Sequence, residues 1–492
     1  MIILYNPQSS ANCKPIIPLS LLAVGAMLEG QYEYTILDGN LEADPLTRLD
    51  DLIAACDSPP ILGISVMPGP QLEQAIPLSQ ALRQRHPQVT IVWGGYFPSQ
   101  HWDVVLKADY VDFVVRSHGE HVFVSLVKML ERGETDFSSL MGLAYKDDAG
   151  QPVTNPEAPL PRLAGLPPMN FDRVDVNRYV RHTFLGSRTL GYHSSYGCPF
   201  FCNFCAVVNM VNGRWLPQTA AQVADVVHLY KDRWNINAVE FYDNNFFTSE
   251  ARVAEFSERI LNLNVAWWGE GRIDTMQKYS DQTWRLMRDS GLKMVFLGAE
   301  SGSMETLKRM DKGGKMSPEK TLEMADLMKQ WDIVPEFSFV MGNPPDPEGD
   351  LADTMEFIRK VKDVNPQAEI IMYLYTPVPL SGELYEQAKA QGFAYPETLE
   401  GWISPEWLNF SQRRSTTMPW VQQSLQERIH NFERVLNAYY PTSTDTKLTR
   451  NWRTLLRLIS AWRYHLRVYR YPLELRALHR LIAYQRPETS GF

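Results

Sequence analysis

Cysteine is scarce in this chain of 492 residues, which holds five, an odd and sparse set that does not suit the disulfide framework of an oxidised, secreted domain. No uninterrupted apolar run reaches the ~20 residues that a membrane-spanning helix needs. The opening Met-Ile-Ile-Leu-Tyr-Asn-Pro lacks a basic n-region followed by an apolar core, so no secretory signal is expected. Positive charge is also in deficit. Lys and Arg number 48 against 57 Asp and Glu, and a net charge of −9 argues against general affinity for nucleic acid. No G-x-G-x-x-G pattern follows the first apolar run, which counts against a dinucleotide fold there. A hydrophobic content of 44% and a charged content of 21% are those of an ordinary globular protein. Together these features lead us to expect a cytoplasmic location.

Three of the five cysteines stand together. Gly197-Cys-Pro-Phe-Phe-Cys-Asn-Phe-Cys205 places Cys198, Cys202 and Cys205 in a CxxxCxxC spacing, with the aromatic Phe204 before the third. Three thiolates this close can hold one face of a metal centre. A [4Fe–4S] cluster normally takes four, so three leave one iron open to a small molecule. Structural zinc is the competing reading. It needs four ligands, and His193 or the more distant His182 offers a fourth. The remaining cysteines, Cys13 and Cys56, lie far upstream.

The motif resembles that of the radical S-adenosylmethionine (SAM) enzymes. The resemblance implies a cluster held by Cys198, Cys202 and Cys205 as metal ligands and catalytic groups. SAM would bind at the open iron and be cleaved to a 5′-deoxyadenosyl radical.

The N-terminal third alternates short β-branched runs with amphipathic stretches. Strands are expected at residues 2–5, 35–37, 61–66, 90–93 and 113–115, with helices at 72–85 and 122–132. This rhythm predicts a doubly wound parallel sheet, whose ligands bind beyond the carboxyl ends of the strands. The strand-end loops there are Asn6-Pro7, Ser65-Val-Met67, Gly94-Gly95 and Arg116-Ser-His-Gly119-Glu120. Such a domain ahead of the cysteine motif resembles the cobalamin (B12)-binding radical SAM enzymes. The resemblance implies that these loops cradle the corrin, through Asn6, Pro7, Ser65, Met67, Gly94, Gly95, Arg116, Gly119 and Glu120. Two departures stand out. Phe97 replaces the His that relatives often carry in a Gly-Gly-x-His-Pro stretch, and 116–120 differs from their Arg-Gly-Glu-Gly-Glu. No DxHxxG motif supplies a lower axial ligand. His101, His118 or Met67 stand near the expected corrin face, and for the two histidines a solvated or core role competes.

A proline-rich linker spans 147–187, and six further strand-helix repeats follow over 188–395. Strands are expected at 189–195, 238–242, 265–269, 294–297, 336–341 and 369–375, a partial (β/α)6 barrel with its site at the carboxyl ends of the strands. The cysteine motif falls just after the first. By the same resemblance Asp243 (or Asn245) would take the SAM amino group, Arg272 its carboxylate and Glu300 its ribose, and the backbone around Met341 its adenine. Packing roles compete for each.

The expected domains are therefore 1–146 (cobalamin-binding, Rossmann-like), 147–187 (linker), 188–395 (partial barrel) and 396–492 (mostly helical). In the last, Trp402, Trp407, Phe410 and Trp420 either close the barrel mouth or simply cap it. Residues 446–492 hold Lys447 and nine arginines against Glu474 and Glu488, a net of +8. Trp452, Leu455, Leu456, Ile459, Trp462, Leu466 and Tyr469 recur there at helical spacing. That stripe either packs on the body or lies against an anionic membrane surface as a peripheral contact.

The combined expectation is a cobalamin-dependent radical SAM enzyme that transfers a methyl group to an unactivated carbon. Cyclisation or rearrangement with the same cofactors is the alternative. A zinc-stabilised corrinoid-binding module is a reading from another class. A small, apolar substrate and a flavodoxin or ferredoxin-type electron donor are implied.

Overall fold

The computed structural model describes residues 1–9, 15–310, 316–378, 382–411, 418–442, 444 and 448–482. Cys13, the side chain of Phe410, Lys447 and residues 483–492 lie outside that description. The chain forms two compact units. One comprises Met1–Tyr179, Asn209–Val211 and Ala394–Ser415; the other comprises Val180–Val208, Asn212–Phe393 and Thr416–Phe492.

In the first unit, β1 (Ile2–Asn6), β2 (Tyr34–Asp38), β3 (Ile61–Ser65), β4 (Thr90–Gly94), β5 (Phe113–Val115), β6 (Leu143–Lys146) and β7 (Pro152–Thr154) form one sheet. Its order is β2-β1-β3-β4-β5-β6-β7, with the first five strands parallel and the last two antiparallel. Continuous apolar strands such as Ile-Ile-Leu-Tyr suit a sheet buried on both faces. Tyr5, Ile64, Trp93 and Val114 point into a core on one face, and Leu4, Val92, Val115 and Phe123 into a core on the other. The order reverses between β1 and β3, so the switch point, where such sheets bind ligands, lies at the Asn6 and Ser65 ends.

The late segment Ala394–Ser415 packs on this same unit. Trp402 sets its ring edge-on to Phe97 at 4.8 Å and stacks on Tyr395 at 5.4 Å, with Trp407 4.8 Å away. Trp402 and Trp407 are thus a packing cap on the first core.

The second unit is built on β8 (Thr189–Tyr192), followed by a short hairpin of β9 (Ser195–Gly197) and β10 (Trp215–Pro217). Then come β11 (Ala238–Phe241), β12 (Ala266–Gly271), β13 (Leu292–Glu300), β14 (Val334–Met341) and β15 (Glu369–Leu374). Six strands pair in parallel as β15-β14-β13-β12-β11-β8, the partial barrel expected from the alternating pattern. One expected strand divides. Residues 189–195 do not run on as a single strand, because Ser194 turns its N–H and Oγ, and Ser195 its Oγ, onto the Asp243 carboxylate. The chain then leaves the sheet as β9, which carries it into the cysteine loop.

The helical end of this unit contains Gln423–Tyr439, Arg450–Leu466 and Leu473–Leu481. Among the described residues no helix is long and apolar enough to cross a membrane.

Candidate cofactor sites

The cysteine loop starts at the end of β9. Cys202 is buried, Cys198 and Cys205 are partly so, and all of the described cysteines are free thiols. Cys202 lies near enough to both of the others to add to the shifts that burial imposes on them. Burial, the larger cause, pushes Cys198 up and Cys205 up to about 12. Neutral, desolvated thiols facing each other are stable as they stand and become thiolates when a cation replaces their protons.

Two side chains reach the sulfurs. Arg272, at the end of β12, donates Nη1–H to Cys202 Sγ at 3.2 Å, and its Nε and Nη2 clasp Asp274 at 3.1 and 3.2 Å. Its guanidinium lies 3.7 Å over the Phe200 ring, inside the cysteine motif. Asn245, after β11, points Nδ2 at Cys198 Sγ, 3.8 Å away. The loop is pinned between its second and third cysteines, where Asn203 donates its backbone N–H to Met310 O and its Nδ2 to Arg309 O. Phe204 occupies that turn, partly buried.

Three free thiols on one short loop supply three of the four ligands that a [4Fe–4S] cluster takes, so these residues fit such a cluster. Among the described residues no three His, Cys, Asp or Glu side chains converge to grip one metal ion. His193 packs its ring beside Tyr242, and burial lowers its pKa.

The SAM residues expected from sequence meet different fates. Arg272 reaches the cysteine loop, but its fork is largely taken up by Asp274 and Cys202. Asp243 is fully buried with its carboxylate taken by Ser194 and Ser195. Asn245 is equally buried, and its Oδ1 has no hydrogen-bond partner. Glu300 ends β13 at φ +65°, beside a register shift that breaks the ladder to β14. It lies within electrostatic reach of Cys205. Around Met341 the backbone is already engaged: Met341 O accepts from Tyr375 N, Gly342 O from Trp420 Nε1, and Val340 O from Asn343 Nδ2.

Two carboxyls escaped the sequence reading. Glu270, on β12, and Glu336, on β14, belong to a buried acidic group with Glu240, Glu369 and Asp243. Burial first, then the neighbouring Asp243 and Glu336 charges, raises Glu270 to about 8; burial and Glu369 raise Glu336 to about 8. Glu336 also accepts from Trp268 Nε1 at 3.1 Å. The only hint in the sequence was the Gly-Glu-Gly at the end of a strand.

In the first unit, the switch-point loops are tied together by Gln71, which the sequence reading passed over. Gln71 Nε2 donates to Asn6 Oδ1 and Pro7 O, both at 3.0 Å, and its Oε1 accepts from Met67 N at 2.7 Å. Asn6 in turn donates to Asp38 at 3.0 Å. The Ser65 hydroxyl meets that of Ser20 at 3.3 Å. Met67 leaves this network with its side chain 44% exposed at the end of β3.

The rim beyond β3 and β4 is open. A Cβ built on Gly94 meets nothing nearer than 3.7 Å, and one on Gly69 meets nothing within 4 Å. Gly95 is different: its φ is +96° and a Cβ would fall 2.9 Å from Val66 N. Bare backbone and an exposed thioether suit a broad, flat ligand, so these residues fit a corrin. Gly119 and Glu120 open the helix Gly119–Glu131, with Glu120 buried. Arg116 turns elsewhere, to Thr154 Oγ1 at 2.7 Å on β7. His101 is a core residue, 5.1 Å from Phe97 and 4.6 Å from Trp402, and burial lowers it to about 4.

Residues 14–127 match the B12 binding domain family, and residues 192–389 match the radical SAM superfamily. An uncharacterized methyltransferase of Pyrococcus horikoshii is 24% identical over 73% of this chain and 78% of its own length. An anaerobic magnesium-protoporphyrin IX monomethyl ester cyclase of Synechocystis is 29% identical over 64% of this chain. The match spans 63% of that cyclase, a little under two thirds of its length. Among solved structures, the radical SAM methyltransferase TsrM of Kitasatospora setae, with cobalamin and a [4Fe–4S] cluster bound, superposes with a TM-score of 0.65 at 18% identity. That match covers 79% of this chain and 78% of TsrM. The cobalamin-dependent radical SAM enzyme OxsB gives 0.67 at 17% identity, over 98% of this chain and 75% of its own. At these identities the two structures speak to the fold.

Proposed function

Because the chain belongs to the radical SAM enzymes that carry a B12-binding domain, we propose that it is a methyltransferase acting on an unactivated carbon of a small molecule. When bound, the cluster and SAM supply a carbon-centred radical that removes a substrate hydrogen, and the corrinoid supplies the methyl group.

The observation that carries the SAM-binding part of this reading is the orphaned Asn245 Oδ1, a buried acceptor on the same amide whose Nδ2 lies 3.8 Å from Cys198 Sγ. Leaving a buried acceptor unpaired costs about 1–3 kcal/mol, which a ligand N–H recovers. We assign it to the SAM amino group in place of Asp243, whose oxygens already serve Ser194 and Ser195. Arg272 holds Cys202 from the side and orients the loop. We assign Glu300 to the ribose hydroxyls, on a strained backbone position suited to a ligand contact. Cys198, Cys202 and Cys205 hold the cluster. In the first unit the Gln71 network fixes Asn6, Pro7 and Met67, and Gly94 and Gly95 offer backbone to the corrin face.

Cyclisation remains a second reading, favoured by the 29% identity to the Synechocystis cyclase. A flavodoxin or ferredoxin-type donor would reduce the cluster, and a reducing cytoplasm suits it. The test is anaerobic protein reconstituted with iron, sulfide and hydroxocobalamin, then given reductant, methyl-labelled SAM and an anaerobic small-molecule extract. Methyl transfer predicts 5′-deoxyadenosine together with label on carbon in a product. 5′-Deoxyadenosine with no transferred label selects the cyclase reading, and absence of both overturns the proposal.

A further inference from the structure

The helix Arg450–Leu466 turns the wrong side to the body for an ordinary packing helix. Its buried face is Leu456, Ser460, Arg463 and Tyr464. Arg463 there donates to Glu474 and to the carbonyls of Val468, Arg470 and Tyr471, while Arg453 donates to Thr442 O at 2.7 Å. Tyr464 stacks on Tyr439 at 4.5 Å, and its carbonyl accepts from Arg359. Polar anchors thus fasten the helix.

The stripe expected from the sequence divides: Leu456 is fully buried and Ile459 and Tyr469 are partly so, while Trp452, Leu455, Trp462 and Leu466 face outward and Leu458 joins them. Trp452, Leu455, Leu458, Trp462 and Leu466 follow one another at intervals of three or four, and are 37, 38, 69, 47 and 69% exposed. The following turn adds exposed Val468, Tyr471 and Leu473. At 1.5 Å per residue the helix runs for about 25 Å. It contains no acidic residue, and Arg450, Arg457, Arg467 and Arg470 stand exposed on it or in the turn after it.

We propose that this face docks on an anionic lipid surface. A narrow Trp and Leu stripe flanked by arginines matches the acyl–headgroup boundary, where indole rings and guanidinium groups both find partners. A second copy of the chain is a poor occupant, because self-docking would press arginine against arginine. No spanning segment is involved; the helix lies in the plane of the surface.

The full-length holoprotein would be sedimented with vesicles of phosphatidylglycerol and phosphatidylcholine mixed, and with phosphatidylcholine alone. The expected result is binding to the anionic vesicles, at least roughly tenfold weaker on phosphatidylcholine alone and weakened by salt. The triple variant Leu458→Glu, Trp462→Glu, Leu466→Glu should lose binding roughly tenfold or more, while its thermal unfolding stays near the wild-type temperature, since Leu458 and Leu466 are 69% exposed and Trp462, whose ring lies under the Arg463 guanidinium, is 47% exposed. Arg457→Glu with Arg470→Glu should weaken binding without touching the stripe. Failure to bind anionic vesicles, or binding unchanged in the triple variant, overturns the proposal. So does a wild-type dimer in sedimentation equilibrium that the triple variant converts to monomer, which would assign the stripe to a second copy. None of these readouts depends on the methyl-transfer reading.

Discussion

Arg272 donates to Cys202 Sγ across 3.2 Å while its other two nitrogens are held by Asp274. A carboxylate therefore aims a guanidinium at the sulfur of a proposed cluster ligand. Only a planar fork can serve both partners; an ammonium is a point charge. Arg272→Lys should keep the fold and bind iron, yet shift the cluster's reduction potential and cut 5′-deoxyadenosine formation by roughly tenfold. Alanine at Cys198, Cys202 or Cys205 should abolish cleavage altogether, with iron content falling alongside. Full activity in any single cysteine variant would refute the cluster assignment.

Asp243 and Asn245 are two residues apart and should behave differently. Asp243→Ala strips the acceptor from three donors of Ser194 and Ser195 and removes the carboxyl whose charge favours Arg252, which donates to Ser194 Oγ, so it should lower stability by about 3 kcal/mol or more. Asn245→Ala should leave thermal unfolding nearly unchanged and weaken SAM binding roughly tenfold. Calorimetry on both variants separates the roles. Equal SAM affinity in Asn245→Ala and the wild type would remove Asn245 from the site.

The raised carboxyls of Glu270 and Glu336 make stability depend on pH. Each binds its proton in the folded protein up to about 8, whereas the ordinary value is 4.5. The folded state holds more protons than the unfolded chain across that window, so stability falls as pH climbs from about 4.5 to about 8. Gln at either site does not titrate. In ligand-free protein the melting temperature of Glu270→Gln, relative to wild type, should rise steadily between those limits and level off above them. A constant difference across the range would show that Glu270 is not perturbed, and Glu336→Gln tests Glu336 in the same way.

Gly95 tests the corrin rim. Alanine there meets Val66 N at 2.9 Å and Val66 O at 3.0 Å, in a backbone conformation that costs about 1–3 kcal/mol. Gly95→Ala should reduce retained cobalamin, read from its visible spectrum, and lower the melting temperature. His101→Phe is the control: a core ring replaced by a ring should leave cobalamin binding intact. Loss of the corrin in that variant would restore His101 as an axial ligand.

Alternation of apolar runs with amphipathic stretches was enough to read the parallel strands of both sheets, because strand and helix periods are local properties of the chain, but it missed the antiparallel β6 and β7 that finish the first sheet. Three close cysteines likewise pick out the loop that we propose holds the cluster. The spacing could not say which neighbours serve it. Asp243 and Asn245 look interchangeable in Phe241-Tyr-Asp-Asn-Asn-Phe-Phe247; only the fold, by delivering Ser194 and Ser195 to one of them, spends Asp243 on structure and leaves Asn245 Oδ1 open. Trp402 gave no sign in sequence of joining a core built from residues about three hundred positions earlier. Its partner Phe97 is a long-range contact, which no local pattern encodes. The last helix shows the same division. Its stripe and its arginines are written in the order of residues, but whether the stripe turns inward depends on what it meets, and polar anchors from Tyr439, Arg359 and Glu474 hold the opposite face down. Local periodicity decides what an element is; burial of the partners it meets in space decides which face it shows.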